Sequence, residues 1–201
     1  MDVLTTSLWV GAVPEIDDNN EWLQEARRVA SPNCDDRTAA VDAVIIHGIS
    51  LPPGRYGGPF IDQLFTNTLD VDADAYFSGI QSLRVSSHLL IDRNGSLTQY
   101  VPFTRRAWHA GESSLCGRTA CNDFSIGIEL EGSDEEDYED AQYRVLADVV
   151  AALQECWPAI TRDRIVGHAD IAPGRKTDPG PAFDWDYFFR LLDRHRAGSP
   201  R

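Results

Sequence analysis

The run Ala43-Val44-Ile45-Ile46, closing on His47, constrains this chain more than any other stretch. A half-buried strand alternates apolar and polar residues. Four apolar residues in succession, three of them β-branched, suit instead a strand covered on both faces at the centre of a sheet. The predicted strand is Val41–His47, and His47 falls at its C-terminal end, where side chains emerge into a cleft. A second strand is predicted over Phe124–Leu130. There Phe124, Ile126, Ile128 and Leu130 share one side, and Ser125, Gly127 and Glu129 share the other. Glu129 is therefore a carboxylate in the interior of a strand whose opposite face is apolar. A third, Arg164–Gly167, leads directly into His168.

The other predicted elements fit around these strands. Asn94-Gly95 between Ser86–Ile91 and Ser96–Val101 marks a β-hairpin. Asp137–Trp157 has apolar residues at helical spacing and stops at Pro158; Trp185–His195 carries Tyr187, Phe188, Leu191 and Leu192 as a terminal helix. Shorter helices are expected over Glu21–Val29, Phe60–Thr66 and Ala73–Leu83, the last capped by Asp72. Pro102–Cys121 is expected to be an irregular loop, and a loop that long is usually functional or disordered. The sum is an α/β domain with a central mixed β-sheet flanked by helices. At 201 residues one domain is the simplest organisation. We divide it into a lead-in over 1–20 of no assigned function, a domain over 21–195 and a tail over 196–201.

Charge excludes some partners. The formal charge of −14 offers no basic patch to neutralise phosphates, which argues against nucleic acid or an anionic membrane. No stretch reaches the roughly 20 apolar residues of a membrane span. Met1–Thr6 shows no basic region and no long apolar run, so a secretory signal is not expected and the cytoplasm is the default address. The four cysteines lack CxxC pairing and are read as reduced thiols, with Cys156 in the helix core. A monomer is the favoured state.

The polar residues placed at strand ends, or in loops beyond them, are His47, Glu129, His168, Lys176 and Asp178. Two imidazoles and a carboxylate are a common ligand set for a catalytic zinc. Glu129 would take a proton from the attacking water and return it to a leaving amine. Lys176 would offset charge on a tetrahedral intermediate. It is the only lysine among 18 basic residues, so a chain that otherwise uses arginine keeps one compact ammonium here. On the His168–Asp178 stretch alone, a surface loop carrying a scattered His and Asp remains an equal reading. For the five residues together the bland reading stays ahead, since histidines also end strands without binding a metal.

Five blocks add a resemblance. They are His47–Gly54, Arg84–His88, Arg106–Gly111, Cys121–Gly132, and Gly167–Pro173 continuing through Lys176–Pro181. From Glu21 to about Asp193 the chain resembles the bacterial zinc N-acetylmuramoyl-L-alanine amidases, which share the peptidoglycan-recognition-protein fold. Within them it is similar to the branch acting on 1,6-anhydromuramyl peptides. The resemblance implies Zn2+ held by His47, His168 and Asp178, with Glu129 and Lys176 catalytic. It also implies a muropeptide substrate cut between the muramyl lactyl group and L-alanine during cell-wall recycling. Arg84 and Trp108 fall where the family lines its cleft. His109 joins them as a substrate contact, with simple packing as the alternative. Two positions depart from the family pattern: Gly48 stands where Asn is usual, and Ala120 where a basic residue is common. A non-catalytic muropeptide-binding module of the same fold is the rival reading. His88 is expected to be structural, and His195 solvated.

Overall fold

The computed structural model describes residues 13–198; the Leu8-Trp9-Val10 patch lies outside them. In chain order the strands are β1 Arg27–Arg28, β2 Cys34–Asp36, β3 Ala43–Ile49, β4 Leu89–Ile91, β5 Leu97–Gln99, β6 Arg105–Ala107, β7 Ser114–Leu115, β8 Arg118–Thr119, β9 Ser125–Glu131 and β10 Ile165–Gly167. The helices are α1 Phe60–Phe65, α2 Asp140–Cys156, α3 His168–Ile171 and α4 Trp185–Gly198.

Six strands form one mixed sheet in the order β1-β5-β4-β9-β3-β10. Strand β3 lies parallel to both its neighbours, β9 and β10, and β4 is parallel to β9 but antiparallel to β5. The central place of β3 follows from its apolar run: Ala43 to Ile46 are all fully buried. Even residues of β3 and β9 (Val44, Ile46, Ile126, Ile128, Leu130) pack under α2 and α4 with Val145, Leu146, Val149, Leu153, Phe188 and Leu192. Each such side chain contributes about 1.5–3 kcal/mol by leaving water. A buried Gln142 locks α2 to the sheet, its amide donating to the carbonyls of Ile91 and Glu131.

Odd residues point to the opposite face, where no long helix lies. Two smaller apolar clusters flank it. Ala43 and Ile45 pack with Ala110, Leu115, Cys121, Phe124 and Ile171 at one end. At the other, Leu90 packs with Leu51, Leu64, Phe65, Phe77 and Tyr100. His47 and Glu129 sit on this face, directly paired in the β3–β9 register.

Several expectations change. Glu21–Val29 forms no helix; Arg27–Arg28 instead extends the sheet along β5. The helix expected over Ala73–Leu83 shrinks to a 3-10 turn at Ala75–Gly79, and its cap is Asp74, which accepts from the Tyr76 N–H, rather than Asp72. Pro102–Cys121 carries three short strands: β6 pairs with β2, and β7 with β8. Cys156 is half-buried rather than core, and α4 continues past His195 to Gly198. His195 is not simply solvated, because its Nε2 meets Asp148 Oδ1 of α2 at 2.8 Å. No described helix is long and apolar enough to cross a membrane.

Candidate metal and catalytic centre

Parallel pairing puts His47 of β3 beside Glu129 of β9. Edge strand β10 ends at Gly167, so His168 opens α3 next to them. The chain then turns back, and the Ala169 N–H donates to the Asp178 carbonyl at 2.9 Å, which returns Asp178 to His168. The three predicted ligands converge: His47 Nδ1 is 2.9 Å from His168 Nδ1, and Asp178 Oδ2 lies 3.2 Å from the first and 3.1 Å from the second.

These separations fit a metal. Bonds of about 2.0–2.1 Å from a tetrahedral ion would set its ligand atoms about 3.3 Å apart. His168 Nε2 donates to the Ala110 carbonyl at 3.2 Å, which leaves its Nδ1 lone pair facing the other two ligand atoms. Burial pushes the His47 imidazole down to about 4, against the opposing pull of Asp178, so it stays neutral and fit to bind a metal. Glu129 supplies a further sign: it is buried, and its Oε2 has no hydrogen-bond partner. A carboxylate oxygen in that state is costly unless something from outside the chain meets it. Burial first, and then the charge of Asp178, raise its pKa well above the usual carboxylate range, while Lys176 pulls the other way.

The remaining predicted residues are placed as follows. Lys176 is exposed, in the loop that carries Asp178. Its neighbour Arg175 ties that loop to the next, donating to the carbonyls of Ala110 and Glu112 at 2.6 Å each. Arg84 is exposed and Trp108 half-buried. Their segments are joined through Ser86, whose N–H donates to the Trp108 carbonyl and whose Oγ accepts the Trp108 N–H.

His109 takes a different place from the substrate contact expected of it. It is buried behind His47, with Nδ1 2.9 Å from His47 Nε2 and Nε2 3.3 Å from Ser125 Oγ. Both ring nitrogens are engaged inside the protein. Burial, and then the surrounding His47, His88, His168 and Arg37, keep the ring uncharged. Asn122 Oδ1 holds its main chain, accepting from the N–H groups of His109 and Ala110. His88 is structural as expected: fully buried, it accepts the Gly127 N–H at Nδ1.

Sequence reasoning gave Ser125 no role. The available signal was the small, polar side of an otherwise apolar strand, Ser125-Gly127-Glu129. At Gly48 an added Cβ would collide with the Tyr138 hydroxyl, so the asparagine usual in the family would need that ring to move.

The profile of the N-acetylmuramoyl-L-alanine amidase family matches residues 37–181, which include every candidate ligand and both catalytic candidates. This chain belongs to that family. The amidase is 58% identical over 173 residues to the 1,6-anhydro-N-acetylmuramyl-L-alanine amidase AmpD of Citrobacter freundii, covering 85% of this chain and 92% of that one. Its fold matches the crystal structure of a selenomethionine AmpD derivative with a TM-score of 0.84 at 57% identity, over 86% of this chain and 97% of the other. A more distant match is the Escherichia coli amidase AmiD in complex with the substrate anhydro-N-acetylmuramic acid-L-Ala-D-γ-Glu-L-Lys. Its TM-score is 0.56 at 28% identity, over 83% of the amidase and 67% of that chain.

Proposed function

We propose that this amidase hydrolyses the amide between the lactyl group of 1,6-anhydro-N-acetylmuramic acid and the L-alanine of the stem peptide. It would act in cytoplasmic recycling of cell-wall muropeptides, with zinc held by His47, His168 and Asp178. The observation that carries this reading is the buried Oε2 of Glu129, without a partner, beside the converging His/His/Asp set. A module that only binds muropeptide has no use for such a carboxylate. Identity to AmpD over most of both chains supports the anhydromuramyl substrate.

Zinc at this position would polarise the scissile carbonyl and lower the pKa of the attacking water to about 7. The chain's own groups do the rest. Glu129 accepts a proton from water as the oxygen attacks the carbonyl carbon. It then gives that proton to the alanine nitrogen as the C–N bond breaks, releasing the lactyl acid and a free amino terminus. The buried setting that raises its pKa lets the carboxyl hold the proton between the two steps. Lys176 counters the negative charge on the tetrahedral oxygen. Arg84 and Trp108 contact the substrate in this reading.

The test is mass spectrometry of zinc-replete protein with anhydromuramyl-tripeptide, beside the same peptide on ordinary muramic acid. Faster release of peptide from the anhydro sugar is expected. Release from neither, with zinc bound, would return the chain to the binding-module reading.

A further inference from the structure

Behind His47 lies a file of buried groups that hydrolysis does not use: His109, Ser125 and the carbonyl of Cys121. Its hydrogens can be assigned from the far end. Ser125 Oγ is 2.6 Å from the Cys121 carbonyl oxygen. Two oxygens so close need a hydrogen between them, and only the hydroxyl has one to give. That hydroxyl then has none left for His109 and accepts instead, at 3.3 Å, from His109 Nε2–H. With its single hydrogen on Nε2, His109 turns a bare Nδ1 towards His47 Nε2, 2.9 Å away. Two bare nitrogens would repel at that distance, so His47 carries its hydrogen on Nε2 and leaves Nδ1 bare. That Nδ1 then faces the bare Nδ1 of His168 at 2.9 Å, a contact that a cation between them relieves. Nδ1 is the atom that faces His168 and Asp178. Two further contacts hold the file in place. Asn122 fixes the main chain of His109, and Arg37 Nη2 donates to the Ser125 carbonyl at 2.9 Å.

We propose that His109 and Ser125 are positioning residues for metal binding, locking His47 in the tautomer whose Nδ1 lone pair is directed at the ion. This rests on reading His47, His168 and Asp178 as the metal set. An imidazole free to choose would spend part of its time with the hydrogen on the wrong nitrogen, and that fraction costs affinity. Partners behind a ligating histidine typically account for about 10–100-fold in metal affinity.

Zinc affinity, read by competition with a chromogenic chelator, and the His47 tautomer, read from long-range 1H–15N spectra of metal-free protein, test the proposal. The variants are His109→Phe, His109→Asn and Ser125→Ala. Phenylalanine keeps the ring volume and removes the acceptor, whereas asparagine places an amide oxygen close to where Nδ1 stood. The wild type should show the His47 hydrogen on Nε2. His109→Phe should bind zinc about 10–100-fold more weakly, and His109→Asn should regain part of that loss. Ser125→Ala, which frees His109 to carry its hydrogen on Nδ1, should give a mixed His47 tautomer. If His109 only packs, the order reverses and phenylalanine is the better replacement. That order, or a wild-type His47 with its hydrogen on Nδ1, overturns the proposal. A wild type that binds no zinc overturns the metal reading itself, and the proposal with it.

Discussion

Gly127→Ala is the sharpest probe of how tightly the inner face of the sheet is filled. Gly127 lies midway along β9, between Ser125 and Glu129, and the His109 ring rests against it. A Cβ at this position would stand 2.5 Å from His109 Cγ, 2.6 Å from Nδ1 and 2.8 Å from Cδ2. Carbon atoms pack best at about 3.5–4.0 Å, so the ring would have to retreat by about 1 Å. Its Nδ1 now sits 2.9 Å from His47 Nε2, and that retreat would break the bond. Overpacking of this kind costs about 1–3 kcal/mol. The loss of freedom in the unfolded chain returns about 0.4–1 kcal/mol. A net loss of about 1–2 kcal/mol should lower Tm by roughly 2–8 °C in a domain of this size. Calorimetry of the metal-free protein reads it, with Gly79→Ala as control because nothing lies within 4 Å of a Cβ there. If the two variants melt at the same temperature, the ring has room to spare and the packing argument fails.

Glu129→Ala should keep its zinc and lose about 10²–10⁴-fold in turnover; retained turnover in the purified variant would remove Glu129 from the proton path. Asp178→Ala should purify without zinc, checked by metal analysis, and full metal occupancy would show that the ligand set is wrongly assigned. Arg106→Gln should destabilise the β2–β6 pair, because Arg106 grips Asp35 through two bonds and Asp123 through a third, each 2.6 Å. The Arg106 bond is the main cause holding the Asp35 carboxyl below its ordinary 3.8. Its contribution is therefore complete above that value and fades as pH falls through the lower folded one. The Tm gap between wild type and variant should narrow in acid, and a gap that widens would refute the assignment.

The sequence was most legible where burial and backbone pattern agree. Val41–His47 and Phe124–Leu130 could be read as strands because both faces, or one complete face, are apolar. Asn94-Gly95 gave the hairpin and the spacing of Val145 and Val149 gave α2. His47 and His168 stood out at strand ends, but the candidate ligand set as a whole, with Asp178 in a loop, was legible chiefly through the resemblance of the five blocks. Arg27–Arg28 and Cys34–Asp36 were not, since such short polar strands exist only through their pairing with β5 and β6. The same limit applied to His195, whose partner Asp148 lies on another helix. His109 sat beside Trp108 in an apparent loop, and no local signal shows that a ring will fold inward onto a glycine.

The parallel pairing of β3 with β10 also bears on when a metal can join the chain. His168 and Asp178 lie close together in the chain, but His47 is 121 residues from His168, so the candidate set of three cannot close until β10 has paired with β3. Long-range pairing of this kind bears its loop-closure entropy before any contact repays it. A metal that needs all three groups therefore cannot nucleate this fold as it does in a zinc finger. It can only bind the finished sheet, and by mass action hold the chain there.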